Sequence, residues 1–170
     1  MDYLVSLFPS VDAFVLALFT SLLVIHLVFV RKTKLFIDII SVYISFVIVF
    51  LLPISYKPLQ DWMIAHASIR TWVFVGLVIL FHVLFSFSNL KNFSSRVRPL
   101  HFLQSLIYRT SIIGFMFSSF LYFAPATIKG KLSLVSLFLF TSFGALAFWF
   151  SFPLFLVFAY RFHTKNGWVE

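Results

Sequence analysis

Arg31-Lys32-Thr33-Lys34 separates two apolar runs, residues 11–30 and 35–52, and each run is long enough to cross a bilayer. A helix rises about 1.5 Å per residue, so about twenty residues match a hydrocarbon core of about 30 Å. Because only these four residues connect the runs, the two helices must be antiparallel neighbours. The stretch therefore predicts a membrane hairpin with a basic turn.

The composition of the chain indicates a membrane protein. Of its 170 residues 62% are hydrophobic and 11% are charged, whereas about 25% of the residues in a soluble domain are charged. The net charge is +8, but most basic residues fall in short loops that orient helices, so we expect no nucleic-acid partner. The chain has no cysteine, which excludes disulfides and thiolate chemistry.

Three further apolar runs, residues 68–87, 100–124 and 132–160, complete the predicted architecture. It is an all-α polytopic bundle of five transmembrane helices in a single domain, residues 1–170. The last run is too long for one untilted crossing, and Pro153 predicts a kink because it removes a backbone hydrogen bond. We expect one bent helix there, with a re-entrant pair as the alternative.

Residues 53–67 differ from the runs on either side. Leu59, Trp62 and Met63 recur at the spacing of an apolar helical stripe, on the face opposite Asp61. This pattern predicts a short amphipathic helix lying on the outer membrane surface.

The basic residues of the loops predict an orientation, since such residues concentrate on the cytoplasmic side. The side of the basic turn carries eight of them and the other side carries four. We expect a plasma membrane, specifically a bacterial inner membrane, with the N-terminus outside and the C-terminus in the cytoplasm. The residues that set this topology most directly are Arg31, Lys32 and Lys34.

Four ionisable residues lie within the apolar runs at one predicted depth: His26, Asp38, His82 and Arg109. An ionisable group at membrane depth is a candidate functional residue because its burial is costly. In the simpler interpretation, which we favour, each is satisfied separately: Asp38 by Lys34 and the positive end of its helix, and Arg109 by the headgroups. The alternative is a polar cluster in which Asp38 accepts hydrogen bonds from Arg109 and the histidines.

The fourth run also carries small residues every four positions, at Thr110, Gly114 and Ser118. Small residues at this spacing let the backbone of a neighbouring helix approach closely. We favour packing within the bundle, and a dimer seam or a water-lined path is the alternative.

Several of these features together resemble one known family. They are an acidic residue ahead of the first helix (Asp12), the short basic turn, the outer amphipathic segment from Pro58 to Ala67, and the small-residue motif from Thr110 to Ser118. Over residues 11–124 the chain resembles the colicin V production protein family of bacterial inner-membrane proteins. The resemblance implies a non-enzymatic envelope protein linked to export or envelope homeostasis, and it implies no catalytic residues.

The sequence contains no phosphate-binding glycine loop, nucleophile elbow or histidine pair at metal-ligand spacing, so we expect neither an enzyme nor a bound cofactor or metal. We expect a scaffold or subunit of a membrane assembly. It would meet lipid, other membrane proteins or a second copy through its helix faces. The alternatives are a channel or small transporter with a path near the four ionisable residues, and a lipid-modifying enzyme with His26 or His82 as its base.

Overall fold

The structure, a computed structural model, describes residues 11–30, 34–88 and 102–163. Over these residues the chain forms eight helices and no strand, which confirms the predicted all-α fold. The helices are α1 Val11–Phe29, α2 Leu35–Ser55, α3 Lys57–Ala65, α4 Ala67–Phe87, α5 Phe102–Phe123, α6 Ala126–Lys129, α7 Leu134–Phe140 and α8 Phe143–His163. Among the sequence predictions, Arg31, Lys32 and residues 100–101 lie outside the described residues.

Four helices, α1, α2, α4 and α5, are each long and apolar enough to cross a membrane. The pair α7 and α8 adds a fifth candidate crossing if it is counted as one bent span. Most helix bounds lie within two residues of those predicted. There are two exceptions: α2 continues through Pro53 to Ser55, and α8 continues three residues past the predicted end, to His163. Because Pro53 lies in the last turn of α2, its missing N–H removes a single helical hydrogen bond just before the helix ends.

Helix α5 is the central element of the bundle. It packs against α1, α2, α4, α7 and α8. Of the residues in α5, 67% are buried, whereas only 6% of the residues in the span of α1 are buried. It is also the least apolar of the four long spans. Its buried face carries small and polar side chains, which allow close approach of neighbouring helices.

Aromatic rings fill the core between α2, α5 and α8. The ring of Phe115 on α5 lies 4.8 Å from Tyr43, 5.3 Å from Phe46 and 5.3 Å from Phe150, measured between centroids. The Tyr43 hydroxyl also donates a hydrogen bond to the Phe150 carbonyl. Many phenylalanines of this chain therefore have a packing role in the core, beyond any contact with lipid.

The short helix α3 begins with Pro58 in its first turn and packs against α2 and α4. Met63 is buried, whereas Trp62 and Asp61 are exposed. The predicted apolar stripe is therefore divided, because Met63 faces the bundle and Trp62 does not.

The last predicted span bends by 42° between α7 and α8, at Thr141–Ser142. The sequence predicted a kink at Pro153, but α8 continues through that residue. The break has a local cause: the Ser142 hydroxyl accepts a hydrogen bond from the Ala145 N–H at 3.1 Å and so starts a new helix. The Thr141 and Ser142 hydroxyls also donate to the carbonyls of Leu137 and Phe138.

Candidate functional site

The described ends of α1, α2, α4 and α5 that lie nearest the basic turn hold the four predicted ionisable residues. His26 lies in the last turn of α1 and Asp38 in the first turn of α2. His82 belongs to the final third of α4, and Arg109 is the eighth of the 22 residues of α5. The structure brings all four together, and we call them the hairpin-side cluster.

Asp38 is the acceptor at the centre of the cluster. Its Oδ1 lies 2.5 Å from Nδ1 of His82, and its Oδ2 lies 3.2 Å from Nε2 of His26. The residue is 7% exposed. Among the described residues Oδ2 has no well-aligned hydrogen bond, so its attraction to His26 is an ion–dipole contact rather than a directional bond.

Arg109 connects α5 to the end of α1. Its guanidinium donates hydrogen bonds to the His26 carbonyl and, at 2.7 Å, to the Val30 carbonyl. Its Nε donates to the Ser105 hydroxyl at 3.2 Å. The His26 carbonyl also accepts the Val30 N–H at 3.1 Å, and the Val30 carbonyl directly follows the last residue of α1, so Arg109 adds donors to the end of α1 from a neighbouring helix. Arg109 is only 3% exposed, so it does not extend to the headgroups.

The contacts assign a tautomer to His26. Nη1 of Arg109 lies 3.2 Å from Nδ1 of His26, and a guanidinium has no acceptor atom. Nδ1 must therefore accept, which leaves the proton on Nε2, facing Asp38. His26 thus lies between the Arg109 cation and the Asp38 anion. The opposite charges of Arg109 and Asp38 reduce the cost of burying both residues.

Asp38 contacts both histidines, but within the described part of the chain it makes no hydrogen bond to Arg109. The His26 ring lies between Asp38 and Arg109. Nor does Lys34 pair with Asp38 there. The α1 carbonyls that Arg109 binds could not be identified from the sequence, because backbone acceptors carry no residue signature.

Nδ1 of His82 contacts Asp38, so its Nε2 lies on the other side of the ring, and the His82 side chain is 32% exposed. The cluster contains no hydroxyl or thiol nucleophile. Among the described residues no group of three His, Cys, Asp or Glu side chains is placed to hold a metal ion.

The small-residue stripe of α5 faces α7 and α8. A Cβ at Gly114 would overlap the ring of Trp149, so only glycine leaves room for that ring. The Ser118 hydroxyl donates to the Phe140 carbonyl at 2.6 Å, and Trp149 Nε1 donates to the Leu139 carbonyl at 2.9 Å. These bonds satisfy carbonyls next to the break between α7 and α8, where the regular helical bonding stops.

Thr110, the third predicted residue of the stripe, has a different role. Its hydroxyl donates to the carbonyl of Leu106 in its own helix at 3.0 Å. Within the described chain, Gly114 and Ser118 therefore serve packing between helices, and Thr110 bonds within α5.

A polar contact that the sequence did not indicate joins α1 to α7 at the opposite end of the bundle. The Ser133 and Ser136 hydroxyls donate to Oδ1 of Asp12 at 2.7 and 2.5 Å. Ser133 is also the N-cap of α7. Helix α1 is therefore held by polar contacts at both ends.

A scan against protein-family models, a search of curated proteins and a search of solved structures found no match to this chain.

Proposed function

We propose that this chain is a multi-pass protein of the plasma membrane, of the bacterial inner-membrane type, and that it acts as a non-enzymatic scaffold or subunit of a membrane assembly. Its long helices are almost wholly apolar on the outside, and the segments that connect them are short. Partners therefore meet it through helix faces or through α3. The hairpin faces the cytoplasm, in accordance with the excess of basic residues on that side.

One observation carries the proposal: the buried ionisable groups bond to one another and to the backbone. Arg109 caps the end of α1, His26 bridges Arg109 and Asp38, and Asp38 holds His82. These contacts join four helices and use most of the donors and acceptors of the cluster. Such an arrangement suits a structural role better than a reaction, which needs several groups that converge on a substrate.

The resemblance to the colicin V production protein family agrees with this function and suggests the setting. A protein of that kind takes part in export or in maintenance of the envelope and performs no chemistry of its own. Its partners are then other membrane proteins or further copies of the same chain.

Affinity purification of the full chain in a mild detergent, with cross-linking before extraction, tests this function. We expect a complex of fixed mass, containing either one constant partner or a defined number of copies. Cross-links should map to exposed faces, such as the outer face of α1 at Val24 and Val28. A monomer that carries no cross-linked protein under these conditions would contradict the proposal.

A channel or small transporter is the second candidate, and the hairpin-side cluster is the observation that favours it. A chain of polar groups from His26 through Asp38 to His82, with Arg109 as a fixed positive charge beside it, could relay a proton. The aromatic core of α2, α5 and α8 opposes it, because it fills the bundle beside the cluster. Proton flux into liposomes that the full chain supports and Asp38→Asn abolishes would favour this candidate over the scaffold.

A further inference from the structure

An apolar groove runs along the bundle where α1 and α4 both pack against α5. Its volume is about 330 Å³ and every side chain that lines it is apolar. This volume lies within the range of about 300–1,000 Å³ typical of ligand pockets. The principal lining residues are Leu18 and Leu22 on α1, Phe74 and Val78 on α4, and Met116 and Phe120 on α5.

Two basic residues lie beyond the groove, on the side of the bundle where α3 lies. Arg70 precedes Phe74 by one turn of α4, about 6 Å along the helix. Its guanidinium lies 5.3 Å from the centroid of the Phe123 ring. Lys129, at the end of α6, donates to the Tyr122 carbonyl at 2.6 Å. We call Arg70 and Lys129 the basic pair.

The basic pair retains unused donors. An ammonium group has three N–H donors and a guanidinium has five. Lys129 uses one on the Tyr122 carbonyl, and the Nε of Arg70 is buried without a hydrogen-bond partner among the described residues. In that part of the chain neither cation has a carboxylate within ion-pair distance.

The electrostatics around Lys129 favour an anion. Burial, and then the positive charge of Arg70, lower the pKa of Lys129. Two cations thus lie close enough to repel each other, with no described carboxylate to compensate them. A bound anion would compensate both charges.

We propose that the apolar groove and the basic pair form a binding site for one anionic phospholipid of the leaflet on the α3 side. One acyl chain lies in the groove, and the phosphate accepts hydrogen bonds from Arg70 and Lys129. Basic pockets between membrane helices bind lipid phosphates in this way. A transmembrane helix is about 10–12 Å across with its side chains, so it would cover this groove rather than fill it. The inference requires that the helices lie in a bilayer, but it does not depend on the scaffold role.

Native mass spectrometry of the full chain in mild detergent tests the site with three probes. They are phosphatidylglycerol, which has both phosphate and chains; diacylglycerol, which has chains alone; and inorganic phosphate. We expect one saturable phosphatidylglycerol per chain, bound at least about tenfold more tightly than either other probe, a difference of about 1.4 kcal/mol.

Variants separate the two halves of the site. Lys129→Gln, alone or with Arg70→Gln, should remove most of the preference for phosphatidylglycerol over diacylglycerol. Val78→Phe narrows the groove and should weaken both lipids severalfold. Matched controls are Lys57→Gln, an exposed cation on α3, and Val83→Phe, on the exposed surface of α4 outside the groove. Neither control should change binding of any probe.

Three results would overturn the inference. Equal binding of inorganic phosphate and phosphatidylglycerol would indicate a site for a free anion. Lys129 lies outside the spanning helices, so Lys129→Gln should not impair folding. If this variant kept the preference for phosphatidylglycerol over diacylglycerol, the basic pair would not be the phosphate site. A dimer that Val78→Phe dissociates would show that a second copy covers the groove.

Discussion

Arg109 holds a helix end that belongs to another part of the chain. Arg109 donates hydrogen bonds to the His26 and Val30 carbonyls and contacts the His26 ring. These contacts hold a positively charged side chain within the apolar helices, where the residue is only 3% exposed. That position is stable only while Asp38 supplies the opposite charge through His26. The two charged residues should therefore act as a unit.

A double-mutant cycle tests this coupling. Asp38→Asn and Arg109→Gln should each lower the free energy of unfolding by about 3–5 kcal/mol, because each leaves a buried charge uncompensated. The double variant should lose less than the sum, by about 1–3 kcal/mol. The measurement is equilibrium unfolding in mixed micelles. As a matched pair, Asp61→Asn and Lys57→Gln, four residues apart on the exposed face of α3, should each change stability by less than about 0.5 kcal/mol and couple by no more than about 0.5 kcal/mol. Additive losses at Asp38 and Arg109 would show that the cluster is not a unit.

Gly114 gives a second prediction. Gly114→Ala should destabilise the bundle by about 1–3 kcal/mol, because the new Cβ would overlap the ring of Trp149. The ring cannot move away freely, since it stacks near Phe140 and donates to the Leu139 carbonyl. Gly76→Ala, with no atom within 4 Å of the added Cβ, is the control and should lose no stability. The same unfolding assay measures both, and equal stability of the two variants would contradict the proposed contact.

The sequence predicted which residues share the hairpin-side level, and the observed contacts of Asp38 with both histidines follow the alternative prediction of a cluster rather than the favoured one of separate partners. Depth in an apolar run follows from counting residues, so His26, Asp38, His82 and Arg109 could be placed in one layer. The partners of Arg109 could not, because they are carbonyls exposed by the end of α1. The contact from Asp12 to Ser133 could not be predicted either, since a hydroxyl 121 positions away carries no distinguishing pattern.

Among the elements, the α7–α8 pair differs most from its predicted form. Proline is the strongest helix breaker in sequence, so Pro153 dominated the prediction, whereas the observed break follows from the hydroxyls of Thr141 and Ser142. Serine and threonine are common inside membrane helices. Their capping role becomes visible only once Ser118 and Trp149 are seen to bind the freed carbonyls.

Removing the Ser142 cap should destabilise the start of α8. Ser142→Ala deletes the acceptor for the Ala145 N–H and should cost about 0.5–2 kcal/mol in the unfolding assay. Ser119→Ala is matched to it, because Ser119 is fully buried and its hydroxyl has no hydrogen-bond partner among the described residues. That control should be neutral. If both variants behaved alike, Ser142 would not be acting as a cap.

Among the described residues, buried polar and small side chains lie on α5 and α2 next to an aromatic core, and the outward faces of the helices are apolar. This arrangement follows from composition, since a bilayer offers no partner for polar groups. Orientation across the bilayer is a separate property that depends on the basic residues of the loops.

Cysteine labelling tests the orientation without background, because the chain has no cysteine of its own. A membrane-impermeant maleimide applied to intact cells should label Lys57→Cys and should label Lys32→Cys only after the membrane is permeabilised. The two positions control for each other. Labelling of Lys32→Cys from outside, with Lys57→Cys protected, would reverse the proposed orientation.

Polar contacts attach α1 to the bundle at both of its ends, which limits how the protein can respond to a change in bilayer thickness. Asp12 and His26 are fourteen residues apart, about 21 Å along the helix, and each is tied to a different neighbour. Helix α1 therefore cannot change its angle to α5 by itself. In lipids with shorter chains the protein should accommodate the mismatch by leaning as one rigid body or by thinning the surrounding lipid.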